Sequence, residues 1–146
     1  MGARVIRPDA TTEPVDVPED TAEASAVICA IIGCRTLTVT RVIQPGPGTA
    51  GLDMWTDGHS LITAGPTPNP AAEAIVAFLS RGQVRPLFAG AAVFTGGPGA
   101  RAAATALTRE HEEIITTIAA AIRDASAGPA GPAGQAGQPP ADGSPA

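Results

Sequence analysis

Asp53, Trp55 and Asp57 recur at every second position, with His59 just past an Asp57-Gly58 turn. On an extended strand this period sets two carboxylates and an indole on one face. Two carboxylates and an imidazole are enough for general acid–base work or for holding a divalent metal ion, and a tryptophan among carboxylates can hold a cationic or stacking ligand. The plainer and commoner role for such a residue is to cover a sheet while solvated acids surround it. Asp53, Trp55, Asp57 and His59 are therefore the candidate ligand-binding residues, joined by Asn69 further along. No catalytic residue, metal ligand or cofactor is assigned.

Other motifs carry less. Gly46, Gly48 and Gly51 match the spacing of a dinucleotide fingerprint, but a strand pattern follows where a helix must begin, so the segment reads as a connector. Gly96, Gly97 and Gly99 beside Arg101 resemble an anion-binding nest and equally an ordinary glycine turn. Gly58-His59-Ser60 begins like a nucleophile elbow, but Ile62 stands where the second glycine is needed. His111 has no metal-binding partner at helical spacing and reads as a rim histidine. Cys29 and Cys34, the only cysteines, form neither a CxxC pair nor a zinc knuckle and read as reduced thiols.

Composition removes further chemistry. All nine basic residues are arginine, so there is no lysine for a Schiff base or a P-loop, and there is no tyrosine to act as acid or base. A net charge of −5 without a basic cluster argues against nucleic acid and anionic membranes as partners. No apolar run reaches the length of a membrane span and no export signal is visible, which points to the cytoplasm.

The elements that must position these residues follow from patterning. Residues 4–7 and 13–17 read as an N-terminal hairpin. Asp20 with Glu23 forms a capping box for a helix whose Ala24, Val27, Ile28, Ile31 and Ile32 share a face and which ends at Gly33 as the C′ residue. Residues 36–43 alternate as a strand with Leu37 and Val39 inward, and residues 52–56 and 60–63 flank Asp57-Gly58 as a second hairpin. Asn69 caps and Pro70 opens a helix burying Ala71, Ile75, Phe78 and Leu79 before Gly82. Residues 87–95 hold one or two short strands broken at Gly90, and Thr108 caps a last helix with an Ile114, Ile115, Ile118 and Ile122 stripe. The expected fold is α+β: one small domain over 1–124 with a mixed, mainly antiparallel sheet and about three packed helices. Residues 125–146, rich in Gly, Pro and Ala, read as a disordered tail.

Asp53-x-Trp55, the Pro68-Asn69-Pro70-Ala71 helix start, the Phe88-Ala89-Gly90-Ala91-Ala92-Val93-Phe94-Thr95-Gly96 stretch and Leu107-Thr108 together resemble a family of small proteins from actinobacteria, other Gram-positive bacteria and their phages and plasmids, the domain of unknown function 3846 family. The resemblance implies an accessory role in a phage, plasmid or integrated element and carries over no catalytic residues. The expected function is thus a non-enzymatic accessory protein binding a host protein or small ligand. The alternatives are a small hydrolase or nucleotide-processing enzyme using Asp53, Asp57 and His59, and a structural oligomerisation module.

Overall fold

A computed structural model describes residues 1–62, 67–98 and 104–127 of the chain. Among these, the elements run β1 (Gly2–Ile6), β2 (Thr12–Asp16), α1 (Thr21–Ile32), β3 (Leu37–Ile43), β4 (Leu52–Asp57), α2 (Pro70–Leu79), β5 (Ala92–Gly96) and α3 (Arg109–Ala127). The strands form one sheet in the order β2-β1-β5-β4-β3, with every neighbouring pair antiparallel. The α+β class expected from the sequence is the class observed, and no parallel pair enters the sheet.

Strand alternation divides the core into two layers. Ile6, Leu52, Met54, Ala92 and Phe94 pack on one face with Ala72, Ile75 and Val76 of α2 and Ile115 of α3. Ala3, Val5, Trp55 and Val93 pack on the other with Ala24 and Ile28 of α1. The sheet is therefore covered on both sides. Its central strands β4 and β5 are buried almost throughout, as expected for strands that meet helices on both faces. Arg4 of β1 reaches Glu112 of α3 at 3.0 Å and pins that helix across the sheet.

The helix starts follow their sequence signals. Asp20 accepts a hydrogen bond from the Glu23 N–H at 3.0 Å, and Gly33 ends α1 in the left-handed region at φ 81. Asn69 does more than cap. Its Oδ1 accepts from the Ala72 N–H at 3.0 Å, while its Nδ2 donates to the Ile6 carbonyl at 3.0 Å and the Gly90 carbonyl at 2.9 Å. Completely buried, it fastens the start of α2 to the end of β1 and to the segment entering β5.

Several sequence expectations are corrected. No strand follows Asp57-Gly58: residues 58–62 are turns, because both edges of β4 are already occupied by β3 and β5. Thr63 of the expected strand lies outside the described residues. Val42, of the same parity as Thr38 and Thr40, is the buried residue of β3, Val39 is 46% exposed, and the bulge between Arg41 and Ile43 sets Ile43 opposite Leu52. Phe78 is not buried with its helix but 64% exposed, since Ala72 and Val76 take the inward positions. Of the one or two strands expected around Gly90, one forms, β5, and it begins after that glycine. His111 is a buried residue, not a rim one, and α3 continues to Ala127, past the expected boundary at Asp124. The expected tail from 128 onward, and Gly99 and Arg101 of the expected nest, lie outside the described residues.

Two predictions follow from this packing. Asn69→Ala removes a cap and strands one buried and one partly buried carbonyl, so the urea unfolding free energy should fall by roughly 3 kcal/mol; Asn69→Asp, which keeps the cap but turns a carboxylate toward those carbonyls, should not restore it. His111 is held below its ordinary pKa of 6.5 by burial, with Glu110 opposing weakly, and its Nδ1 has no hydrogen-bond partner. A depressed histidine contributes stability above its unfolded pKa and loses it as the folded group takes up its proton. Urea midpoints should therefore decline as pH drops below 6.5, and His111→Leu should flatten that decline.

Candidate functional site

Asp53, Trp55 and Asp57 share the α1 face of β4, as their period requires. Trp55 lies between Val39 and Val93 on the neighbouring strands. It is only 6% exposed and belongs to the core beneath α1, so its ring offers no stacking face to a ligand. Its Nε1 donates to Thr95 Oγ1 at 2.9 Å, and that hydroxyl donates onward to the Gly96 carbonyl at 3.0 Å. Asp53 is buried beside it and paired with Arg41 Nε of β3 at 2.5 Å. The carboxylate and the indole are both engaged within the fold.

The acid–base trio does not converge. Asp53 and Asp57 are four residues apart on one strand, a separation of about 13 Å with Trp55 between them. Asp57 accepts the His59 N–H at 2.8 Å and shapes the turn. Ser60 is also structural, since its Oγ accepts from the Ala89 N–H at 3.0 Å. Asn69 is spent on the three bonds described above. Among the described residues no group of three or more His, Cys, Asp or Glu side chains could hold a metal ion, and no helix is long and apolar enough to cross a membrane.

A cleft of about 480 Å³ opens on the opposite face of the sheet, at the free end of the β3–β4 pair. Thr38 and Thr40 of β3 and Thr56 of β4 line it, with Asp57 and His59 at one side and Arg85 at the other. Two of the five sequence candidates thus border the cleft, from the turn. The rim is apolar and open: Leu61, Ile62 and Leu87 are 52%, 79% and 85% exposed. The threonine floor had a visible signal, the alternation of Thr36, Thr38 and Thr40, but the segment 83–87 that walls it has no periodicity.

The cleft borders an unusual sheet edge. Thr36 accepts from the Gly58 N–H at 2.7 Å, so the main-chain groups of Thr36, Thr38 and Thr40 face β4, and those of Leu37 and Val39 face outward. Among the described residues the stretch from Leu37 to Val39 has no proline and no charge, Arg41 beyond it is neutralised by Asp53, and the bulge between Arg41 and Ile43 interrupts the edge only past that stretch. The far edge is treated differently. On β2, the Val17 N–H bonds the Met1 carbonyl, so Val15 and Glu13 face β1 and Pro14 falls at an outward position, where its missing N–H blocks pairing.

A second feature escaped the sequence reading. Gly33 at C′ places Cys29 at C3 and Cys34 at C″ of a Schellman turn, positions whose side chains meet. Their sulfurs are 2.9 Å apart. Burial, reinforced by the Cys29 sulfur, pushes the Cys34 thiol up to about 12.

Comparison with protein-family models, with curated proteins and with solved structures gives no match. The cleft and the edge are therefore read on their own geometry. The Arg41–Asp53 pair that neutralises the edge is itself testable: Arg41→Leu leaves a buried carboxylate without its cation and should cost roughly 2 kcal/mol in urea unfolding, whereas adding Asp53→Asn should recover part of the loss.

Proposed function

We propose that this chain is a non-enzymatic accessory protein that binds an extended segment of a partner protein along β3, with side chains of that segment entering the adjoining cleft. The observation that carries the reading is the asymmetry of the sheet: one edge is closed by an outward proline, and on the other, among the described residues, Leu37 and Val39 turn unpaired main-chain groups outward beside exposed Leu61, Ile62 and Leu87. Added strands draw affinity from main-chain hydrogen bonds and specificity from pockets for alternate side chains. Leu37 and Val39 supply the first, and the threonine floor with Arg85 supplies the second. The enzymatic alternative finds less support, because Asp53 is committed to Arg41 and lies away from Asp57. In line with the family resemblance, we take the setting to be a phage, plasmid or integrated element and the partner to be a host protein in the cytoplasm.

The test uses Val39→Pro, which removes an outward N–H without breaking a β4 bond, and Leu87→Glu, which charges the rim. A host protein retained by the immobilised wild-type chain should be lost from both variants and kept by Glu13→Gln on the opposite edge. Equal retention by all four chains, or none by the wild type, would remove the proposal. A concentration-dependent dimer abolished by Val39→Pro would show instead that the edge serves a second copy.

A further inference from the structure

We propose that Cys29 and Cys34 are a reversible redox modification site, a dithiol that closes to an intramolecular disulfide by exchange with a low-molecular-weight disulfide such as oxidised glutathione. The proposal stands apart from the binding reading above and rests on the end of α1. There the Gly33 N–H and the Cys34 N–H both bond the Cys29 carbonyl, at 2.8 and 3.0 Å. A residue whose N–H reaches the other's carbonyl has its Cα within the span of about 4.4–6.8 Å that a disulfide bridges. The side chains then complete the approach, with Sγ to Sγ at 2.9 Å and the Cys29 Sγ also against the Cys34 carbonyl at 2.6 Å.

Access and order are both set by the turn. Each cysteine is half-buried, and the space above Gly33 is open, since a Cβ built there meets nothing within 4 Å. The pair lies where α1 hands the chain to β3, so the same bond would fix the junction leading into the open edge strand.

Exchange proceeds in two displacements. The Cys29 thiolate attacks one sulfur of oxidised glutathione, forming a mixed disulfide and releasing one glutathione thiolate. Cys34 then loses its proton to solvent and attacks the Cys29 sulfur, forming the internal bond and releasing the second glutathione. Two electrons leave the cysteine pair and reduce one glutathione disulfide to two thiols. Cys34 is the poorer first nucleophile because burial and its neighbour keep its thiol protonated. Once Cys29 is in the mixed disulfide, the neighbouring thiol no longer contributes to that effect.

The experiment equilibrates the full chain in glutathione buffers of graded ratio, traps it with acid and N-ethylmaleimide, and reads the intact mass. Both thiols should disappear together, giving a monomer lighter by two hydrogen atoms. The equilibrium should favour the internal bond by roughly tenfold or more over the same chain in urea. Gly33→Val, strained at φ 81, should erase that advantage, and Cys34→Ser should accumulate a glutathione adduct on Cys29. If the wild-type chain instead stops at an adduct, forms dimers, or titrates identically folded and in urea, the proposal is overturned.

Discussion

The sheet depends on β5. The β1–β2 and β3–β4 pairs are each local in sequence, but among the described residues only the ladders made by Ala92–Gly96 join them. All five of its residues are buried, so the strand must match helices above and below as well as partners on both sides. Its small residues reflect this. A Cβ on Gly96 would collide with the Ala106 carbonyl and the Thr105 hydroxyl, where the chain folds back alongside the strand through the Gly96–Thr105 bridge. Non-local pairing of this kind carries a loop-closure cost before any contact offsets it. Asn69 offsets part of that cost by tying β1, the segment entering β5 and the start of α2 with one amide.

What was legible in the sequence is what local chemistry determines. Asp20 and Asn69 act on N–H groups three residues ahead, and Gly33 supplies a backbone angle, so these boundaries could be read without the rest of the chain. Asp57-Gly58 also has the chemistry of a hairpin turn, but whether a second strand can pair depends on whether the first still has a free edge, and β5 had taken it. Phe78 and His111 misled for a related reason: helical period fixes which residues share a face, not how far the covered stripe extends. At α2 the inward positions went to Ala72 and Val76.

The candidate site was less legible than the fold. The period-two reading placed Asp53, Trp55 and Asp57 together correctly, yet the face they share is the one α1 covers. A strand pattern gives co-facial residues without saying which side stays open. The cleft formed on the other side, from threonines of β3 and β4 and an irregular segment after α2. The cysteine contact, by contrast, was recoverable: once Gly33 is taken as C′, the positions of Cys29 and Cys34 in the turn follow.

The place of β5 in the chain also bears on how the protein is made. Both half-sheets leave the ribosome before the strand that joins them, and until residues 92–96 emerge, the inner edges of β1 and β4 have no partner. During translation, then, the outer strand β3 is not the one unpaired edge of the molecule: the seam at its centre stays exposed too, until the joining strand fills it.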